Sequence, residues 1–321
     1  MFQFFQMMQS MSGMGAMPGF DPAAMPFQPA AAPPADADKG LDAGIVRPAT
    51  FGSLLREQVA LPTGTILDRL CLQADGTSLG GLPKGTTIAF AGPPGKGKTR
   101  TALATLARVA ASGIRSRFVV AEEGFRDDAD SGRDDLCSRL VKIGMAVTGL
   151  DEAAFRAGPL ENIWVVESQY HKDQSWDDFI ARYRYLVEKA GVRFVVVNSL
   201  NMLDPSRART ADNLAALKTY NHEHGVTALC IGQIRDTGQP VGGEALMHTA
   251  DVVFLLEEVG LASKEMAELW GGRYRDRIDT VAAVKSVTTR TLPHAVRVDR
   301  EAESGALILH AAHPNDVYPV P

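Results

Sequence analysis

One octapeptide restricts this chain more than any other stretch: Gly92-Pro93-Pro94-Gly95-Lys96-Gly97-Lys98-Thr99. It fits G-x-x-x-x-G-K-S/T, a loop built to hold phosphate. A triphosphate brings several negative charges that must be held without bulk water. Glycines let successive backbone N–H groups turn inward as a cradle, and the helix that follows adds its positive N-terminal end. The flanks agree. Thr86 to Ala91 is apolar and reads as a buried strand, and Thr101 to Ala111 is rich in Ala and Leu and reads as a helix closed by Gly113. All eight residues are expected to bind the nucleotide, ATP. Lys98 is expected to reach its β- and γ-phosphates, and the Thr99 hydroxyl to hold Mg²⁺.

Composition sets the bounds. The 321 residues are 45% hydrophobic and 22% charged, ordinary globular usage and enough for one large α/β core. A net charge of -5 means that any nucleic-acid contact has to be a local patch. Cys71, Cys137 and Cys230 are scattered and form no C-x-x-C, which argues against a zinc ribbon or a disulfide framework and fits a reducing cytoplasm. No apolar run is long enough to span a membrane, and the N-terminus has no positively charged leader region, so a cytoplasmic protein without a membrane partner is expected. His171, His222, His224, His248 and His294 have no metal-ligand spacing and read as core or solvent histidines.

Residues 1–48 stand apart. Their second half, with Pro29-Ala30-Ala31-Ala32-Pro33-Pro34, is a linker that cannot pack a core. Their first half carries Phe2, Phe4, Phe5, Met7 and Met8, an adaptable apolar tip. It reads either as a disordered tail or as a docking peptide for a protein partner. Phe51 to Val59 has the apolar spacing of a short helix, and Pro314 to Pro321 reads as a C-terminal tail.

Between these ends the pattern alternates strand and helix. Arg117 to Ala121 predicts a strand that ends in Glu122-Glu123. A carboxylate at a strand's C-terminal end beside the phosphate loop can align an attacking water, and Glu122 is better spaced for this than Glu123. A helix is predicted from Asp134 to Gly144, a strand from Asn162 to Val166, and a capped helix from Ser175 to about Ala190. Trp164 and Trp176 read as packing residues. Phe194 to Ser199 reads as a central strand buried on both faces. A loop with Arg207 and Arg209 leads to a helix from Ala211 to His224. The strand Thr227 to Gly232 then delivers Gln233, a polar sensor, and Arg235. Val252 to Leu256 and Thr280 to Lys285 are further strands, and Ala295 to Asp299 with Leu307 to His310 predicts a closing hairpin turning at Glu303-Ser304-Gly305.

Several ordered motifs carry a family resemblance. Leu61-Pro62-Thr63-Gly64-Thr65-Ile66-Leu67-Asp68-Arg69-Leu70, followed by Gly80-Gly81-Leu82-Pro83-Lys84-Gly85 and the phosphate loop, resembles the RecA/RadA/KaiC class of ATPases. Gln233-Ile234-Arg235 with Gly242-Gly243-Glu244-Ala245-Leu246 resembles RecA, and Leu246 to Asp251 with Val252-Val253 resembles the L-x-H-x-x-D-x-V run of RadA/Sms proteins. The likeness covers roughly residues 60 to 310. It implies a RecA-like P-loop fold over residues 49–312, α/β with a mainly parallel sheet and helices on both faces. It also implies ATP hydrolysis with Mg²⁺, self-assembly into a ring or filament, and action on single-stranded DNA in recombination or repair. Related ATPases carry Asp at the metal-ordering position where this chain has Asn198, so slow hydrolysis is expected. Arg207, Arg209 and Arg235 lie where the class points loops at DNA. Where RadA/Sms proteins read K-N-R-F-G, only Lys285 is kept, with Arg290 nearby; these two are the candidates to complete a neighbour's active site. The zinc motif and Lon-like domain of RadA/Sms are absent from the sequence. The alternative is a KaiC-like, nucleotide-gated regulatory or assembly ATPase that does not act on DNA.

Overall fold

The computed structural model describes residues 48–50, 52, 57–127, 132–168, 175–199, 210–234 and 249–321. Two compact units divide the chain, Met1–Arg56 and Glu57–Pro321. Of the first, the described part is a 3-10 turn at Pro48–Thr50 and Gly52. The helix expected over Phe51 to Val59 lies outside the described residues except at Gly52 and residues 57–59, none of which is helical.

The second unit opens with three short strands, β1 (Ala60–Leu61), β2 (Cys71–Leu72) and β3 (Leu82–Pro83). The Thr-Gly…Leu-Asp run before β2 has a local cause. The Asp68 carboxylate accepts the Thr63 and Gly64 N–H groups and the Thr63 hydroxyl, each at 2.7 Å, closing a turn in which Ile66 and Leu67 are buried. Next come β4 (Thr87–Gly92), helix α1 (Lys98–Ala111), β5 (Ser116–Val120), α2 (Leu136–Thr148), α3 (Glu152–Ala157), β6 (Ile163–Glu167), α4 (Trp176–Glu188), β7 (Phe194–Asn198), α5 (Thr210–His224) and β8 (Thr227–Gln233). The last part holds β9 (Val252–Gly260), α6 (Lys264–Leu269), β10 (Arg277–Ser286), β11 (Arg290–Thr291), β12 (Val296–Arg300) and β13 (Leu307–Leu309).

Nine strands form one sheet in the order β13-β12-β10-β9-β4-β8-β7-β5-β6. From β9 to β6 neighbours run parallel, and β10, β12 and β13 extend the sheet antiparallel. This is the mainly parallel sheet expected. Strands β4, β5 and β7 are buried along their whole length, as required when helices cover both faces. One face packs Leu103, Leu106, Phe118, Leu140 and Ile143 under α1 and α2; the other packs Phe179, Tyr183, Leu214 and Leu217 under α4 and α5. Trp164 and Trp176 pack against this second core, with the Trp176 and Phe179 rings 5.1 Å apart.

Two local expectations are corrected, and two short helices are added. Helix α2 begins after an Asp135 cap and runs through Gly144 to Thr148, ending on left-handed Gly149. Gly144 does not stop it; it sits inside because the Phe155 ring fills the space of its Cβ, 2.1 Å away. Strands β9 and β10 are longer than their apolar cores suggest because they pair with each other from Val252–Ser286 out to Gly260–Arg277. Helices α3 and α6, too short to show periodicity, each start on a side-chain cap, Asp151 and Ser263. The closing hairpin forms as expected, with Arg300 paired to Leu307. Beyond it, Tyr318 stacks on Trp270 at 5.3 Å and the Pro321 carbonyl accepts from Arg69 at 2.9 Å.

Candidate functional site: the phosphate loop and its surround

Strand β4 carries the chain to its buried end at Gly92, where a Cβ would come within 2.7 Å of the Leu256 side chain. The loop then turns through Gly95 and Gly97 into α1. Gly97 caps that helix at φ 93°, a conformation that side-chain-bearing residues avoid. The sequence thereby aims the first N–H groups of α1 and the loop at one spot.

Lys98 is buried there. Its Nζ donates to the carbonyls of Gly92 at 2.7 Å and Pro93 at 2.5 Å. Burial lowers its pKa from 10.5 to about 8, opposed by the nearby Glu122 carboxylate. A phosphate entering the loop would replace those two carbonyls with full negative charge.

Three parallel strands end beside the loop. Past β5 stand Glu122 and Glu123, and the structure separates them. Glu122 accepts a 2.7 Å hydrogen bond from Gln233 Nε2 at the end of β8, whereas Glu123 is bound to Arg139 of α2 at 2.8 Å. At the end of β7, Asn198 is buried, and its Oδ1 has no hydrogen-bond partner among the described residues. The adjoining Ser199 Oγ and, past β6, Ser168 Oγ are likewise buried without partners among the described residues. Unsatisfied buried oxygens are costly unless something meets them. Asn198 Oδ1 and the Thr99 hydroxyl are oxygen donors of the kind a hard divalent cation takes.

On the opposite flank the closing hairpin is seated on α1. Leu307 N–H donates to the Thr101 hydroxyl at 3.0 Å and Arg100 to the Ser304 carbonyl at 3.2 Å. Arg300 Nη2 donates to the Gly95 carbonyl at 3.0 Å. Lys96 is paired with Glu258 of β9 and, at 2.8 Å, with Asp279 of β10. None of these contacts was legible in the chain, since each joins residues more than 160 positions apart.

Lys285 and Arg290 are not brought to this loop. Strand β10 runs antiparallel to β9, so Arg277 lies at the loop end of the sheet and Lys285, paired with Val253, at the other. Lys285 there neighbours a hub in which the buried Asp251 carboxylate takes Thr87 N–H, Lys218 and His222, each at 2.8 Å. Burial opposes ionisation of Asp251, but these partners hold its pKa below the ordinary value. Burial and the nearby Lys218 lower the pKa of Lys285. Arg290, on β11, donates to the Ala74 carbonyl at 3.0 Å. Arg207, Arg209 and Arg235 lie outside the described residues, as do His171 and His248.

The model of the KaiC ATPase family matches residues 61–277, well over half of the chain. This chain belongs to that family. Among named relatives, it is 24% identical over 231 residues to the DNA repair and recombination protein RadB of Methanosphaera stadtmanae, a match covering 67% of this chain and 88% of that protein. Among solved structures it is similar to a KaiC-like protein from Pyrococcus horikoshii OT3. The TM-score is 0.55 at 18% identity, over 80% of this chain and 99% of the other. The family member is thus a RecA-class P-loop ATPase in fold and lineage. Among the described residues no helix is long and apolar enough to cross a membrane.

Proposed function

We propose that this KaiC-family protein binds ATP with Mg²⁺ at Gly92–Thr99, hydrolyses it slowly, and couples the nucleotide state to action on DNA in recombination or repair. The observation that carries the hydrolytic part is the Glu122–Gln233 hydrogen bond beside buried Lys98. In this reading Glu122 holds the attacking water as base, and Gln233 keeps the carboxylate oriented and reports the γ-phosphate to the segment behind it. Lys98 and the loop N–H groups hold the phosphates. Thr99 and Asn198 hold Mg²⁺, which supplies charge to offset that developing on the transferred phosphoryl group. Asn198 offers an oxygen but no charge, so the metal is weakly ordered and turnover slow. Lys285 and Arg290, removed from their own phosphate loop, act on a neighbour's nucleotide in a head-to-tail ring or filament. Arg207, Arg209 and Arg235 serve as the DNA-facing cations. The DNA assignment is supported by the likeness to RadB, named for DNA repair and recombination. A nucleotide-gated regulatory ATPase without DNA is the second reading, favoured by the net charge of -5 and by the uncharged Asn198.

The test is Glu122→Gln. Its ATP affinity, by calorimetric titration, should match wild type while phosphate release falls by about 100-fold, the scale of a lost general base. Undiminished turnover would remove Glu122 from the reaction.

A further inference from the structure

The cations around the phosphate loop are unequally held. Beside the loop, the ion pairs of Lys96, Arg277 and Arg300 among the described residues are with the carboxylates Glu258 and Asp279. Lys96 touches both carboxylates, and Arg277 pairs with Glu258. Arg300 is left with the most distant pairing, 3.9 Å from Asp279, plus the neutral Gly95 carbonyl. Within this cluster of three cations and two carboxylates, Arg300 is the one most weakly tied.

Its backbone, in contrast, is fixed. Arg300 ends β12 in register with Leu307, and the turn between them closes through Glu301 N–H to the Ala306 carbonyl at 2.9 Å and Gly305 N–H to the Glu301 carbonyl at 2.8 Å. That turn sits on the first turn of α1 through Arg100 and Thr101. The Arg300 Nε stands 3.8 Å from where a Gly97 Cβ would be. A loosely paired guanidinium on a fixed base, half exposed and beside the loop's own glycines, suits a charge-assisted contact with an anion held there.

We propose that Arg300 is a nucleotide-binding residue acting within its own subunit. On nucleotide entry its guanidinium leaves the Gly95 carbonyl for a phosphate oxygen on the α/β side. The side follows from the two flanks of the loop. Glu122, Gln233 and Asn198 stand where the γ-phosphate reacts, and the hairpin closes the opposite flank, where the remainder of the nucleotide leaves the loop. The inference rests on the nucleotide-binding reading above.

The experiment is calorimetric titration of the full chain with Mg·ATP and Mg·ADP, comparing wild type, Arg300→Gln and Arg300→Lys. Arg300→Gln should weaken ATP and ADP equally, by about tenfold or more, the scale of a lost hydrogen bond from a charged donor. Arg300→Lys, which keeps the charge without the planar fork, should fall between it and wild type. Unchanged affinity of Arg300→Gln for both nucleotides overturns the proposal while leaving nucleotide binding intact, and so does a loss confined to ATP. If wild type itself binds neither nucleotide, the nucleotide-binding reading fails along with it. A thermal melt keeps the variants comparable, and recovery in the lysine variant separates lost charge from lost fold.

Discussion

Lys98 makes nucleotide binding a proton-linked event. In the nucleotide-free protein its amine is buried against two carbonyls, with its pKa lowered from 10.5 to about 8. Bound phosphates favour the charged form and should restore a value near or above 10.5. At pH 9 the free protein holds about a tenth of a proton on Lys98 and the complex about one, so ATP binding should take up about 0.9 proton. At pH 7 Lys98 is already charged in both states, and its share drops to about 0.1. The same shift sets a stability window. Between about 8 and 10.5 the unfolded chain holds more protons than the free folded protein, so apo stability should rise with pH across that range. The full span is on the order of 3 kcal/mol, from about 1.4 kcal/mol per pKa unit. Bound nucleotide should abolish the slope. The assay is calorimetric titration of ATP at pH 7 and pH 9 in buffers of different ionisation enthalpy, which yields the protons exchanged directly. Equal proton uptake at the two pH values, or uptake at pH 9 that persists in Lys98→Met, would refute the argument.

Two further outcomes concern the metal and the DNA. Asn198→Asp puts a carboxylate at the end of β7 and should raise Mg²⁺-dependent turnover by about tenfold, the scale of one added charge-assisted contact; phosphate release no faster than wild type would mean that another acid already orders the metal. Replacing Arg207, Arg209 and Arg235 with Ala should weaken single-stranded DNA binding and flatten its log–log salt slope by up to about one unit per lost phosphate contact. Identical slopes for wild type and the triple variant in a fluorescence titration would favour the regulatory reading without DNA.

What the sequence determined by itself is local or periodic. The octapeptide Gly92–Thr99, its apolar strand and its alanine-rich helix were readable because a phosphate loop needs glycines, lysine and hydroxyl at fixed spacing. The parallel core was readable because strands buried on both faces, such as Phe194–Asn198, become unbroken apolar runs. Glu122 and Gln233 could be singled out because each directly follows or ends such a run. Only the tertiary structure decided which partners these residues meet. It gave Glu122 to Gln233 and Glu123 to Arg139, two neighbours alike in sequence but set on opposite sides of the chain. It placed Lys285 at the far end of the sheet from Gly92, since strand direction follows pairing and not spacing. It buried Arg117 with its guanidinium over the rings of Phe179 and Tyr183, where sequence shows only a cation at the start of a strand. It brought Arg300 to Gly95 across 205 residues. A side chain's own character and its near neighbours are written in order along the chain; contacts across the sheet depend on which strands pair, and that is settled only when the whole core is buried at once.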